Sequence, residues 1–145
     1  MYQTIISAID GSEQSIEAAK EAIELGAEND STVHFLFVIE KHPTFTKVGL
    51  SGLGDPAKSD EYREYASEKL AEVESLAAER GVDTSGTTQE GAPHEKIIDY
   101  ATDQNADLIV LGARGEGSES IQERILGSTT ERVARGAPMS VLVAR

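Results

Sequence analysis

The chain has 145 residues, 39% apolar and 27% charged, enough for one self-sufficient core and too apolar for wholesale disorder. Its 26 acidic residues outweigh 13 Lys plus Arg, and the formal charge of −13 argues against nucleic-acid or anionic-membrane partners, which need a basic face. Without cysteine there are no disulfides, no thiol nucleophile and no Cys-ligated zinc, and the start of the chain, MYQTIISAIDGSEQS, lacks the basic and long apolar regions of a secretion signal, so a cytoplasmic protein is expected.

Thr4–Ile9 is a short Ile-rich run that Asp10-Gly11-Ser12 punctuates, which predicts a first strand. Glu13 to Glu28 carries Ile16, Ala19, Ala22, Ile23 and Ala27 as a helical stripe. Thr32–Ile39 is β-branched and apolar almost throughout, the pattern of a strand covered on both faces. Lys41 to Lys58, with three glycines and two prolines, has no period and reads as a long loop.

From about Asp60 to Arg80, Tyr62, Tyr65, Ala66, Leu70, Val73, Leu76 and Ala77 give a long helix that Gly81 stops. Val82 to Glu90 alternates weakly and predicts a poor, edge strand. Pro93 opens a short helix with Ile97, Ile98 and Ala101 on one face. Asp107–Leu111 is a buried strand, Ser128 to Arg135 the last helix, and Met139–Ala144 the last strand. Strands and helices alternate throughout, so a parallel sheet with helices on both faces is expected.

Ligands of such sheets bind beyond the carboxyl ends of the strands, where the winding reverses. Two strand ends stand out. The first closes on Asp10-Gly11-Ser12, and the fourth runs into a glycine-rich stretch from Gly112 to Gly117 that leads to Gly127-Ser128-Thr129. Glycines let backbone approach a phosphate, and Ser128-Thr129-Thr130-Glu131 fits a capping box at a helix start whose amides suit an anion. Asp10 would then face ribose hydroxyls. The local alternative is that Ser128 merely caps a helix and Asp10 merely closes an Asx turn.

Other signals point elsewhere or nowhere. There is no GxxxxGK[ST] loop, no GxGxxG after the first strand and no GxSxG elbow. His34 is expected in the packed core, His42 in the long loop and His94 at a helix start; none shares metal-ligand spacing with another, so no metal site is expected. A phospho-acceptor receiver domain needs clustered carboxylates after strand one and a Lys after strand five, which the chain lacks.

Asp10-Gly11-Ser12, Gly91-Ala92-Pro93-His94-Glu95, the Gly112 to Ser128 segment and the closing Ala137-Pro138-Met139-Ser140-Val141-Leu142-Val143 together resemble the universal stress protein family, over essentially the whole chain. The resemblance is to its nucleotide-binding branch, with the pattern G-x2-G-x9-G-[ST]. It implies one domain over residues 1–145, a doubly wound five-stranded parallel sheet in the order 3-2-1-4-5 of the adenine nucleotide alpha hydrolase-like kind, and an ATP-binding regulatory protein of the stress response rather than an enzyme. By resemblance, Gly112 and Gly115 form the first glycine pair, and Gly127 and Ser128 the phosphate end. Asp10 would meet the ribose, with Ala8 and Val38 near the base. Leu111, Ala113, Arg114 and Thr129 would add neighbouring contacts, and Mg²⁺ would accompany the phosphates.

One departure from the pattern stands out. Eleven residues separate Gly115 from Gly127 where the pattern has nine, and counting back nine from Gly127 reaches Gly117. The alternative function is therefore a family member that binds no nucleotide and acts through dimerisation and partner contacts.

In the expected order Met139–Ala144 is an edge strand, apolar at five of six positions, and a homodimer through that strand is expected. Acids such as Glu61, Glu64, Glu68, Glu72 and Glu79 fall on a predicted exposed helix face, as in proteins of a salty cytoplasm. Self-repulsion at this charge is screened by salt, so a halophilic protein would melt higher in about 2 M than in about 0.1 M KCl, and an unmoved midpoint would mark an ordinary acidic one.

Overall fold

In the computed structural model, which describes residues 1–40, 56–114 and 126–145, the chain runs β1 (Thr4–Ile9), α1 (Glu13–Asn29), β2 (Thr32–Glu40), α2 (Pro56–Glu79), β3 (Asp83–Gly91), α3 (Pro93–Asp103), β4 (Leu108–Gly112), α4 (Ser128–Gly136) and β5 (Ser140–Ala144). The five strands form one sheet in the order β3-β2-β1-β4-β5, and every pairing is parallel. This is the expected order.

Side-chain alternation divides the core into two layers. Ile5, Ile9, Val33, Phe35, Leu108 and Val110 pack against Ile16, Ala19 and Ile23 of α1 and Leu70 and Val73 of α2. Ile6, Ala8, Leu36, Val38, Ile109 and Leu111 pack on the other face against Ile97 and Ala101 of α3 and Val133 of α4. The helix after β1 thus covers one face and the helix after β4 the other. Because β1 and β4 are neighbours, a crevice opens between their carboxyl ends.

Four expectations change in detail. The long helix starts at Pro56, so residues 56–58 of the expected loop are helical, while residues 41–55 lie outside the described ones. A proline serves at a helix start because its missing amide has no intrahelical acceptor there, and the apolar period that marks the helix in sequence begins only at Tyr62. Asp107 precedes β4, and its Oδ2 accepts from the amides of Gln3 and Thr4 at 2.9 and 3.0 Å, tying the start of β1. His34 is half-buried rather than part of the packed core. Its Nδ1 lies 2.8 Å from Ser85 Oγ and 3.2 Å from the Tyr100 hydroxyl, and burial lowers its pKa below the ordinary 6.5. The fourth change, at the start of α4, belongs to the site.

β3 carries no fully buried residue, as its weak alternation implies, yet it keeps a nine-residue register with β2 from Thr32↔Asp83 to Glu40↔Gly91. Glu61, Glu64, Glu68, Glu72 and Glu79 of α2 are all exposed.

Candidate functional site

The crevice is a cleft of about 230 Å³ at the ends of β1, β2 and β4, closed on one side by the first turn of α4. Its floor is apolar, with Ala8, Leu36, Val38, Ile97 and Leu111; Asp10, Glu40 and Arg114 place charge around the rim.

On the β1 side the chain turns sharply out of the sheet. Ser12 donates its amide to Asp10 Oδ1 at 2.9 Å, an Asx turn, and Ser12 Oγ accepts the Ser15 amide as the N-cap of α1. Gly11 between them has φ +89°, a conformation that favours glycine, and a Cβ there would lie 2.7 Å from Cε2 of the exposed Tyr65 ring, which would have to shift. Asp10 therefore has the expected local role and also lines the cleft.

On the β4 side, Gly112 runs against the first turn of α1, where a Cβ would sit 3.1 Å from the Gln14 carbonyl oxygen. Thr130 Oγ1 donates to the Gly112 carbonyl at 2.8 Å, and the Arg114 amide donates to Gln14 Oε1 at 2.9 Å. The Ala113 amide donates to the carbonyl of Ala144, and its own carbonyl accepts the Gly127 amide at 2.8 Å.

The start of α4 departs from the capping-box expectation. Gly127, not Ser128, is the N-cap, with φ −62° and ψ 153°, and among the described residues no side chain caps the helix. Glu131 turns instead to Arg135 one turn on, 2.9 Å away. The physical consequence is larger than the one-residue shift. A serine cap would have consumed a helix-start amide, whereas with a glycine cap the amides of Ser128, Thr129 and Thr130 have no side-chain acceptor among the described residues, at the positive end of the helix dipole. Gly127 itself is not among these donors, since its amide is engaged by Ala113.

Of the residues singled out in the sequence, Ala8, Asp10, Val38, Leu111, Gly112, Arg114, Gly127, Ser128 and Thr129 line the cleft. Ala113 is 4% exposed beside it, acting through its backbone. Gly115 and Gly117 lie outside the described residues. Sequence reasoning missed Ile9, Ser15, Leu36, Glu40, Pro93, Ile97 and Thr130. Leu36 was findable, being two residues before Val38 on the same face of β2. Among the described residues no three His, Asp or Glu gather as metal ligands, and no helix is long and apolar enough to cross a membrane.

The sequence model of the universal stress protein family matches residues 1–145. The chain is 36% identical over its full length to universal stress protein MJ0531 of Methanocaldococcus jannaschii, covering 83% of that protein. Among solved structures, hypothetical protein MJ0577 superimposes with a TM-score of 0.83 at 26% identity, over 99% of this chain and 96% of that one. A universal stress protein in complex with cAMP superimposes with a TM-score of 0.75 at 25% identity, over 99% and 97% of the two chains.

Proposed function

The chain belongs to the universal stress protein family, and we propose that it is a nucleotide-binding member that takes ATP, with Mg²⁺ on the phosphates, in the cleft between β1 and β4. The observation that carries this reading is the uncapped start of α4 facing an apolar floor with Asp10 on the opposite rim. The base lies on Ala8, Leu36 and Val38, the ribose hydroxyls donate to Asp10, and the phosphates take the amides of Ser128 to Thr130 with Arg114 beside them. The solved relative with bound cAMP supports an adenine nucleotide as the class of ligand.

A polyanion entering a chain of charge −13 meets unfavourable long-range steering, and Glu40 adds repulsion at the rim. Mg²⁺ offsets part of that charge, with oxygen ligands drawn from phosphates and water. The protein works by binding, as a regulator in the stress response, and a second copy pairs along β5. Residues 1–145 act as one domain.

Calorimetric titration with ATP, ADP and adenosine, each with and without Mg²⁺, tests the reading. Saturable heat with ATP that strengthens with Mg²⁺ is expected. Absence of heat with all three ligands near millimolar concentration would replace it with the alternative of a family member acting through dimerisation and partner contacts, which the two extra residues before Gly127 favour.

A further inference from the structure

The segment Gly112–Arg114, by which the chain leaves β4, is held from two sides by side chains that are remote in sequence. Thr130 comes from the first turn of α4, is 5% exposed, and gives its hydroxyl to the Gly112 carbonyl at 2.8 Å. Gln14 comes from the first turn of α1 and takes the Arg114 amide at 2.9 Å. The Gly127 amide closes the arrangement from the N-cap of α4 onto the Ala113 carbonyl. Two consecutive peptide groups, 112–113 and 113–114, are thus tied by three bonds to the starts of α1 and α4.

We infer that Thr130 and Gln14 are positioning residues for the phosphate end of the site: through Gly112–Arg114 they fix the α4 amides and Arg114 relative to each other, and so set affinity for the phosphates and not for the nucleoside. This rests on the nucleotide reading of the cleft. A helix terminus acts on an anion only over its first turn, so a small tilt of α4 away from β4 weakens all its donors together. Thr130 stands in that turn, and its bond to Gly112 sets the tilt. Gln14 fixes the peptide from which the Arg114 side chain springs. The base and ribose contacts arise from β1 and β2, on the far side of the crevice, and do not pass through this segment.

The test is titration of wild type, Thr130→Val, Thr130→Ser and Gln14→Met with ATP·Mg²⁺ and with adenosine, alongside thermal melts. Valine keeps the branched shape of threonine and removes the donor; serine keeps the donor. Thr130→Val and Gln14→Met should each weaken ATP by about fivefold to tenfold while adenosine moves by less than about twofold, the size expected for one buried hydrogen bond. Thr130→Ser should restore most of the ATP affinity. Equal weakening of both ligands, or no weakening of either, would overturn the inference, since a merely structural role lowers the melting midpoint without sorting the ligands. Wild type that binds adenosine and not ATP would overturn it too, leaving the nucleoside half of the site standing. Wild type that binds neither overturns the nucleotide reading itself, a different result from any pattern among the variants. Should Thr130→Val fail to fold, Gln14→Met carries the same comparison from the other helix.

Discussion

Ser12 donates its amide to Asp10 Oδ1 at 2.9 Å, so the carboxylate on the rim of the cleft is also the group that turns the chain from β1 into α1. The two duties separate by substitution. Asp10→Asn keeps an oxygen for the turn and should leave the melting midpoint nearly unchanged, while giving up the charged acceptor that the ribose prefers. Asp10→Ala loses both and should cost about 1 kcal/mol of stability besides. In either variant ATP, ADP and adenosine should weaken by the same factor, about tenfold, because the ribose is common to all three. Calorimetry showing a loss that depends on phosphate number, smaller for ATP through relieved repulsion or larger through a lost contact to Mg²⁺, would place Asp10 at the phosphates instead.

Gly127 offers a second separation, of stability from binding. Its φ of −62° and ψ of 153° are open to any residue, so the position does not need glycine for its backbone. Gly127→Asp should cap α4, satisfy one of its free amides and raise helix stability by a few tenths of a kcal/mol. The same carboxylate would occupy and repel the phosphate position, so ATP affinity should fall more than about tenfold with adenosine untouched. A variant that melts no lower yet has lost ATP is the expected result. Unchanged ATP binding would mean that the phosphates do not use this helix.

These two positions also show what sequence can and cannot carry. β1 and β4 are legible because burial on both faces leaves short, mostly apolar runs, interrupted in β1 by the small buried Ser7. The first turn is legible too, since Asp-Gly-Ser after a strand has few other uses. The start of α4 misleads, because Ser-Thr-Thr-Glu satisfies a capping pattern that the structure does not adopt: Gly127 takes the cap, and Glu131 finds Arg135. The bonds from Thr130 to Gly112 and from Gln14 to Arg114 span 18 and 100 positions, and no local pattern encodes them. They follow from the packing of α1 and α4 on opposite faces of one sheet.

β5 is the last strand of the sheet, and Leu142 and Ala144 on its α1 side are only partly buried. The groove beside them is lined by Glu17, Glu21, Glu24 and Glu28 together with Lys20, which pairs with Glu17, and Arg145, an excess of acid over base. Leu142→Lys should therefore be tolerated within one chain, where the ammonium meets this acidic wall, and should disrupt an apolar seam with a second copy. Sedimentation over a range of concentrations should give a dimer for wild type and a dissociation constant at least about tenfold weaker for the variant. A wild-type mass of one chain at every concentration would rule out pairing through β5.

His34 supplies a pH dependence with a definite sign. Its Nδ1 faces two hydroxyls, those of Ser85 and Tyr100, and burial lowers its pKa from 6.5 in the folded chain. The unfolded chain takes up the proton first as pH falls. The folded state is therefore favoured fully above the ordinary pKa, and this contribution is lost as pH drops through 6.5 toward the lowered value. His34→Gln keeps a polar group among the hydroxyls and removes the titration. Between about pH 8 and about pH 5 the wild-type melting midpoint should fall further than that of the variant, with the difference opening near the ordinary histidine pKa. Parallel curves would mean that His34 takes its proton equally well in both states, and that the Ser85 and Tyr100 hydroxyls turn to accept from the imidazolium at no net cost.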